Sequence, residues 1–353
     1  MNGATKLALA PLSFIYGLGV RVRNALYRRG MLRTLEVGAP VISVGNLTVG
    51  GTGKTPLVEW IANQLAQRDL RVTVLTRGYG RKSSGRVVVS DGSMIRSNVD
   101  ESGDEPFLLA QNLNGRAAVI CDANRVAAAR WVIANLRTDV FILDDAFQHQ
   151  RIKRDLNVLT IDATNPWGDR SLLPKGKLRE PVDELSRADC VVITRAVDSS
   201  VNELRSEIES KWAGLPTFVS CIEIAGLQKL DEMNSSPEVN MMKTTPVAAF
   251  CGIGNPESFF SLVRGAGYQL KDTSAFRDHY NYQQADIDRL VNHAAHNGAE
   301  AVFTTAKDAV KLKSLSFALP CYVVNIAMKI EDEESILKYI IRAVDAHRSQ
   351  TSS

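Results

Sequence analysis

The segment Val44–Pro56, VGNLTVGGTGKTP, decides the fold of this chain. It follows an apolar run, Pro40–Val44, that indicates a buried strand, and it precedes an amphipathic pattern from Pro56 to about Gln67 that predicts a helix. A strand, a glycine-rich turn and a helix in this order form a phosphate-binding loop, because the turn amides and the positive helix end face an anion. A glycine turn before an ordinary helix is the alternative interpretation.

The side chains of this loop indicate a bound nucleoside triphosphate. Lys54 can reach the β- and γ-phosphates, and the Thr55 hydroxyl can bind a magnesium ion. The usual pattern has glycine where this chain has Thr48, so Gly50 and Gly51 must supply the flexibility. The residues predicted to bind the nucleotide phosphates are Thr48, Val49, Gly50, Gly51, Thr52, Gly53, Lys54 and Thr55.

Length, cysteine use and charge restrict the class of protein. A chain of 353 residues predicts about two domains. The five cysteines lie apart, without metal-ligand or redox spacing, which favours buried thiols in a reducing cytosol. Residues 1–35 have six basic side chains and no acid, whereas the whole chain has a net charge of +3. A basic stripe at one end favours contact with an anionic surface and argues against a nucleic-acid-binding body.

The N-terminal segment predicts an amphipathic helix. The uncharged run Leu7–Val20 has fourteen residues, fewer than the roughly twenty that span a bilayer. In a helix from Leu12 onward, Phe14, Ile15, Leu18 and neighbouring apolar residues share a face, with arginines elsewhere. We interpret this segment as a helix that lies on the inner membrane leaflet. The alternative is an amphipathic helix packed on its own domain.

The rest of the chain alternates strand and helix patterns, which predicts an α/β fold. We expect a P-loop NTPase-like, doubly wound, mainly parallel sheet with a second, smaller α/β domain and an N-terminal amphipathic helix. A second glycine turn, Gly252–Pro256, is weak evidence for a ligand and is more often only a tight turn. The predicted boundaries are 1–35 for the membrane-associating helix, 36–163 for the P-loop core, 164–181 for a linker or substrate loop, 182–328 for the second α/β domain, and 329–353 for a C-terminal helix and tail packing back on the core.

Two acids at the end of an apolar strand predict a metal site. The segment Val140–Asp145 has four apolar residues followed by Asp144 and Asp145, the form of a Walker B strand. In open α/β sheets, ligands bind at this carboxyl end, where a carboxylate can hold magnesium against the phosphates. One aspartate would bind the metal while the other orients Lys54 or a water; which one binds directly stays open. Simple strand capping is the alternative.

Asp104 is the leading candidate for a catalytic base. Gly103–Pro106 opens a predicted helix, where acids are also common as caps. Phosphoryl transfer to an alcohol needs a carboxylate that positions the hydroxyl and accepts its proton, and Glu105 would lie near the metal. Two histidines, His149 and His279, lie in polar motifs, although a lone histidine is more often structural.

These motifs, taken in order, resemble the tetraacyldisaccharide 4'-kinase family of lipid A synthesis over most of the chain. The phosphate loop alone would indicate only an NTPase, whereas the ordered set is highly specific. The segments that carry the resemblance are Gly45-Asn46, Gly50–Pro56, Thr76–Gly80, Gly103–Pro106, Asp144–His149, Arg154–Leu156, Leu172–Pro181, Phe276–Tyr280 and Thr304–Asp308.

The resemblance implies ATP- and Mg²⁺-dependent phosphorylation of the 4'-hydroxyl of a tetraacylated glucosamine disaccharide 1-phosphate. The protein would work as a monomer at the cytoplasmic face of the bacterial inner membrane, as a peripheral or monotopic protein without nucleic acid. By similarity, Asp104 and His279 form an acid–base pair, and Arg77 and Tyr79 lie near the nucleotide. The remaining implied residues are Lys54 and Asp145 for catalysis, Thr55, Glu105 and Asp144 for the metal, and Asn46, His149, Arg179 and Glu180 for the substrate.

The sequence departs from the family pattern at a few positions, and it is also compatible with two other functions. Ala146, Gly168–Arg170, Lys175 and Lys177 replace family residues, which leaves the acyl pattern and sugar decoration of the substrate open. A switch-type NTPase is one rival, but partition ATPases place lysine where this chain has Val49. Nor does the chain show a guanine-reading Asn-Lys-x-Asp motif; its nearest string lacks the Asn. A non-catalytic nucleotide-binding adaptor is the other rival.

Overall fold

The computed structural model describes residues 8–195, 199–232 and 243–351. These residues form two compact units: unit 1 lies within Met1–Cys221 and Ile330–Ser353, and unit 2 lies within Ile222–Lys329. Lys6, part of the basic N-terminus, and the extreme ends of the first and last predicted segments lie outside the described residues.

Helices and strands alternate along the described chain, as the sequence predicts. The strands are β1 Val41–Gly45, β2 Val72–Thr76, β3 Val87–Asp91, β4 Ala117–Cys121, β5 Val140–Leu143, β6 Leu156–Asp162, β7 Cys190–Thr194, β8 Thr217–Lys229, β9 Pro246–Cys251, β10 Gln269–Ala275, β11 Ala301–Thr305 and β12 Cys321–Ile330. The α-helices are α1 Ala10–Arg28, α2 Lys54–Ala66, α3 Val99–Ser102, α4 Asp104–Asn112, α5 Arg125–Asn135, α6 Ser199–Lys211, α7 Pro256–Gly265, α8 Gln284–His296, α9 Ala306–Leu312 and α10 Glu333–Thr351. Two short 3₁₀ helices cover Val182–Arg187 and Leu230–Glu232.

Unit 1 contains a mainly parallel sheet with the strand order β8-β7-β6-β1-β5-β2-β4-β3. The central strand β1 pairs in parallel with β5 and β6, and β3 alone runs antiparallel, against β4. Strands β1, β2, β4 and β5 are buried along their whole length, which fits their continuous apolar sequences. This confirms the predicted doubly wound, mainly parallel sheet.

Strand β6 was not predicted from the sequence. All seven of its residues are buried, but Asn157, Thr160 and Asp162 interrupt its apolar pattern. Their polar groups find partners inside the protein: the Asn157 side chain donates to the Arg187 carbonyl oxygen (2.8 Å), and Thr160 donates to the Gly45 carbonyl oxygen (3.3 Å). A polar residue can therefore occupy a core strand when its hydrogen bonds are satisfied.

The first helix, α1, exposes the apolar side chains that the sequence placed on one face. Phe14 and Ile15 are 70% and 65% exposed, and Leu12, Leu18 and Val22 are also exposed. The face that packs inward carries Ser13, Gly17, Val20 and Asn24 instead. No helix in the part of the chain that the structure describes is long and apolar enough to cross a membrane.

Unit 2 contains its own run of strands, in the order β10-β9-β11-β12-β8. Strands β9, β10, β11 and β12 are joined by parallel pairs, and Phe250 of β9 and Phe303 of β11 are buried in two separate core clusters. The boundary between the compact units falls within β8, later than the predicted boundary at residue 182. The reason is that β7 pairs in parallel with β6 and so extends the sheet of unit 1.

Candidate active site

The phosphate loop ends in a left-handed turn that starts helix α2. Gly53 has φ 77° and is the residue before the helix, which begins at Lys54. A Cβ atom at Gly53 would lie 3.0 Å from the Thr194 methyl carbon, so both the backbone angle and the space favour glycine. In the described residues, no side chain caps the start of α2, which suits the binding of an external anion there.

Hydroxyl groups from two neighbouring strands hold the loop in place. The Thr52 and Thr160 hydroxyl oxygens lie 2.9 Å apart, and the Thr194 hydroxyl donates to the Thr52 carbonyl oxygen (3.0 Å). Thr160 and Thr194 belong to β6 and β7, on the sheet side of the loop. These buried hydrogen bonds fix the loop backbone before any ligand arrives.

Lys54, Asp145 and Arg179 form one charged cluster beside the loop. The Lys54 ammonium lies 3.6 Å from an Asp145 carboxylate oxygen, and one Arg179 nitrogen contacts both carboxylate oxygens at 2.8 Å. Burial alone would raise the pKa of Asp145, but Lys54 and Arg179 outweigh it and hold the pKa below its usual value. Asp145 is therefore a carboxylate that holds two cations at the phosphate end of α2.

The predicted linker, residues 164–181, packs on the loop and delivers Arg179. The Val49 amide donates to the Lys177 carbonyl oxygen (2.8 Å), and the Arg179 amide donates to the Leu47 carbonyl oxygen (2.7 Å). Glu180, by contrast, has a fully buried side chain. It forms ion pairs with Arg23 of α1 and with Arg187. The prediction that Glu180 binds substrate stays a prediction.

Asp144, which directly follows β5, is buried and lies near other acids. Its carboxylate is 4% exposed and accepts a hydrogen bond from the Thr76 hydroxyl (3.1 Å). Burial, followed by the charges of Asp145 and Glu105, raises its pKa to about 6. The aspartate pair and Glu105 are therefore close enough to repel one another.

This donor set fits a magnesium ion. The oxygen donors are carboxylates and the Thr55 hydroxyl at the start of α2, the hard ligands that Mg²⁺ prefers. Within residues 8–195, 199–232 and 243–351, no three histidines, cysteines or acids form an all-protein metal cluster. Mg²⁺ usually takes one or two carboxylates together with phosphate oxygens and waters.

Asp104 and Glu105 open helix α4 next to the loop that carries Arg77 and Tyr79. Gly103 precedes the helix with φ 89°, and a Cβ atom there would lie 2.9 Å from the Tyr79 carbonyl oxygen. The two loops are therefore in close contact. Tyr79 is 76% exposed and Arg77 is also exposed, so both side chains remain accessible beside the two acids.

Asn46 directly follows strand β1, and His149 follows the Asp144–Asp145 pair along the chain. Asn46 is fully buried, and its side-chain amide donates to the Thr48 carbonyl oxygen (2.7 Å). Burial and the neighbouring arginines, Arg125 first among them, lower the pKa of His149 to about 4, which makes this ring neutral at physiological pH. The His149 Nε2 atom is buried with no hydrogen-bond partner among the described residues.

His279 belongs to unit 2, whereas Asp104 belongs to unit 1. The His279 backbone has φ 59°, a conformation that is costly for a residue other than glycine. Its amide donates to the Gly252 carbonyl oxygen (3.2 Å), and the Lys307 ammonium lies 3.3 Å from its Nε2 atom. The pairing of Asp104 with His279 stays a prediction.

Two arginines in the site were not predicted. Arg125, the first residue of α5, is buried and donates to the Asp144 carbonyl oxygen (3.3 Å). Arg195 forms an ion pair with Asp162, and its guanidinium would lie 3.7 Å from a Cβ atom at Gly51. Arg195 could have been predicted from the sequence, because it directly follows a predicted parallel strand and so lies at the ligand-binding edge of the sheet. Arg125 could not, since a basic residue at the start of a helix is common and does not by itself indicate a site.

Comparisons with known proteins match most of the chain. The model of the family described as LpxK, tetraacyldisaccharide-1-P 4'-kinase, matches residues 5–345. The tetraacyldisaccharide 4'-kinase of Geobacter metallireducens is 43% identical over 86% of this chain and 88% of its own length. That of Halothermothrix orenii is 35% identical over 94% of this chain and 91% of its own length.

A solved structure matches the fold as well. A crystal structure of LpxK from Aquifex aeolicus in complex with ATP aligns with a TM-score of 0.78 and 34% sequence identity, and covers 96% of this chain and 99% of that chain. A family model over nearly the whole chain, relatives above 30% identity and this structural match lead to one assignment. The chain belongs to the tetraacyldisaccharide 4'-kinase family.

Proposed function

We propose that this protein transfers the γ-phosphate of ATP to the 4'-hydroxyl of a tetraacylated glucosamine disaccharide 1-phosphate, a step of lipid A synthesis. Membership of the family supports the reaction. The structural observation that carries the proposal is the cluster of Lys54, Asp145 and Arg179 at the uncapped start of α2. A cation at this place has the reach and the charge to stabilise a transferring phosphoryl group.

Different groups around the loop bind the phosphates, contact the nucleotide and hold the metal. The amides of Gly50–Lys54 and the Lys54 ammonium bind the phosphate oxygens, and Arg77 and Tyr79 lie beside the nucleotide. Thr55, Glu105 and Asp144 hold Mg²⁺, which neutralises charge on the β- and γ-phosphates when it is bound. Asp145 forms ion pairs with both Lys54 and Arg179 and so fixes their positions.

Asp104 accepts the proton of the sugar hydroxyl, and His279 assists it. Asp104 is at the first turn of α4, where the packing of Gly103 against the Tyr79 segment fixes its backbone. A carboxylate at this place can position the hydroxyl and take its proton as the new O–P bond forms. Arg179, Asn46 and His149 are proposed to contact the substrate.

The helix α1 brings the site to the cytoplasmic face of the inner membrane. Its exposed side chains Phe14, Ile15 and Leu18 form an apolar surface, and the basic residues Arg21, Arg28 and Arg29 are exposed on the same helix. Such a helix lies in the plane of an anionic membrane surface. This arrangement supports peripheral association, where a lipid acceptor would be found.

The direct test is phosphate transfer to a defined lipid. The purified full-length protein in detergent is incubated with γ-labelled ATP, Mg²⁺ and the disaccharide 1-phosphate. We expect label in the lipid, and Asp104→Ala should lower this transfer by about 10²–10⁴-fold, the usual contribution of a general base. The matched control is Asp100→Ala, which changes an exposed aspartate four residues earlier.

The same assay separates the rivals. Label released as inorganic phosphate with or without lipid would favour a hydrolysing switch and contradict the kinase. Binding of ATP without any turnover would favour the adaptor. Full transfer by Asp104→Ala would remove Asp104 from the mechanism while leaving the kinase assignment intact.

Membrane association is tested with vesicles that contain anionic lipid. The double variant Phe14→Glu with Ile15→Glu should lose most of its co-sedimentation, because it places two charges in the apolar surface of α1. Met94→Glu, at another exposed apolar side chain of unit 1, is the control and should sediment as the wild type does. Equal sedimentation of all three proteins would contradict the proposed role of α1.

A further inference from the structure

Lys307, near the start of helix α9, places its ammonium group next to the Nε2 atom of His279. The Lys307 ammonium lies 3.3 Å from the His279 Nε2 atom and 3.1 Å from an Asp278 carboxylate oxygen. The Lys307 side chain is only 16% exposed. Because water screens this contact little, the lysine interacts strongly with the imidazole and the carboxylate next to it.

The neighbouring residue of the same helix fixes the backbone of His279. Asp308 is fully buried and accepts hydrogen bonds from the Gly252 amide at 3.0 and 3.1 Å. The Gly252 carbonyl oxygen in turn accepts the His279 amide hydrogen bond (3.2 Å). The left-handed backbone of His279, which is costly by itself, is thus held by surrounding contacts. Lys307 and Asp308 together determine where the ring lies.

The contact with Lys307 determines which ring nitrogen carries the proton. A lysine ammonium has three donors and no acceptor, so it can approach Nε2 only at that atom's lone pair. The Asp278 carboxylate oxygen is 3.9 Å from Nε2, too far to accept a hydrogen bond from it. An Nε2 atom that accepts this hydrogen bond carries no proton, which leaves the ring proton on Nδ1.

We propose that Lys307 is a positioning residue that fixes His279 in the neutral tautomer with the proton on Nδ1. This inference rests on the proposed function, in which His279 assists the transfer. A ring in this state has its N–H donor at Nδ1. Since Nε2 is engaged by Lys307, that atom is not the base that takes the proton of the sugar hydroxyl.

Nuclear magnetic resonance of the ring nitrogens tests the tautomer without using activity. The full-length protein is labelled with ¹⁵N-histidine, and His279→Gln assigns the signals. At pH 8, we expect an unprotonated Nε2 and a protonated Nδ1 in the wild type, and loss of this pattern in Lys307→Met. Lys313→Met, an exposed lysine at the end of the same helix, should leave the pattern unchanged. A protonated Nε2 in the wild type would overturn the proposal.

Kinetics test whether Lys307 acts through His279. Lys307→Met should lower kcat at least tenfold and change KM for ATP less than twofold, and Lys307→Arg should recover part of the loss. The double variant with His279→Ala should be no slower than His279→Ala alone, whereas multiplied losses would contradict the proposal. If Lys307→Met lowers thermal stability, Lys307→Gln replaces it in both experiments.

The two proposals can fail separately. Wild-type activity in His279→Ala would remove His279 from the proposed function, but the ring spectra would still decide whether Lys307 sets the tautomer. Absence of lipid phosphorylation by the wild type would end the proposed function itself, again without changing the spectra.

Discussion

The two units each contain a buried parallel strand, a glycine turn and a helix, yet the two turns differ in what occupies them. In unit 1, the turn between β1 and α2 contains Gly50 and Gly53 at positive φ and ends at Lys54. In unit 2, the turn between β9 and α7 contains Gly252 and Gly254, neither of them left-handed, and ends at Pro256. From sequence alone, the first turn predicts a phosphate site, whereas the second is only weak evidence for a ligand.

The difference lies in the partner of the turn amides. In unit 2, the Gly252 amide already donates to the Asp308 carboxylate, which comes from the start of α9. An anion of the chain itself thus takes the place that a phosphate would take. In unit 1, the nearby carboxylate of Asp145 is held by Lys54 and Arg179 instead. A glycine turn therefore predicts an anion site, and only its surroundings decide whether the anion is a ligand.

The largest expected effect is that of Lys54→Ala. Loss of this cation should lower kcat/KM about 10²–10³-fold, or about 3–4 kcal/mol of transition-state stabilisation. Stability should change little, because Asp145 keeps its Arg179 partner. Single-turnover transfer and thermal unfolding measure the two effects. The exposed Lys82→Ala is the control, and a variant at Lys54 that kept full activity would break the distinction between the two turns.

Asp308→Ala should lower stability and leave nucleotide binding unchanged, whereas Lys54→Ala lowers activity and changes stability little. Its removal leaves buried donors of Gly252, Tyr282 and Thr305 without their acceptor, which should cost about 3 kcal/mol of folding free energy. Urea unfolding measures this loss, and binding of an ATP analogue below the transition should be unchanged. Asp288→Ala, an exposed aspartate of unit 2, should leave the unfolding midpoint in place. Loss of nucleotide binding in folded Asp308→Ala would show that the turn of unit 2 serves the nucleotide.

The sequence predicted the elements that carry regular patterns. The apolar runs of β1 and β5 and the glycine-lysine sequence between them fixed the position of Lys54, Asp144 and Asp145 at one sheet edge. This was possible because parallel strands bring their carboxyl ends together. Strand β6 was missed because its polar residues form their hydrogen bonds far along the chain, to partners that no local pattern reveals.

The contacts that support the site could not be predicted from the sequence, for the same reason. The ion pairs of Glu180 join it to Arg23, 157 residues away, and to Arg187, and its full burial could not be read from the motif. Arg125 lies against Asp144 through the packing of α5 on the sheet. Long-range contacts of this kind depend on the assembled core, whereas the motif depends on the local chain.

The carboxylates of unit 1 also predict a pH dependence. Asp144 has a folded-state pKa of about 6, above the ordinary 3.8 expected in the unfolded chain, so the folded protein binds this proton more tightly. Its contribution favours folding at low pH and is lost as pH rises from 3.8 to about 6, by about 3 kcal/mol in all. Asp144→Asn should therefore gain stability over the wild type in the absence of Mg²⁺ and ATP.

The measurement compares urea midpoints of the two proteins at pH 5 and pH 8. The advantage of Asp144→Asn should grow between these values. A constant difference would show that burial and the charges of Asp145 and Glu105 do not act on Asp144 as the geometry requires.

The smallest effect compares one glycine from each turn. Gly53→Ala places a Cβ atom 3.0 Å from the Thr194 methyl carbon at φ 77°, which should cost about 1 kcal/mol and weaken ATP binding, since the loop must shift. Gly254→Ala keeps an ordinary backbone and meets only an Asp278 oxygen at 3.3 Å, on a side chain that is 45% exposed and can move. Its cost should stay below about 0.5 kcal/mol. Urea midpoints and ATP titration of both variants measure the contrast. Equal losses would mean that the left-handed turn is not what distinguishes the phosphate loop from its counterpart.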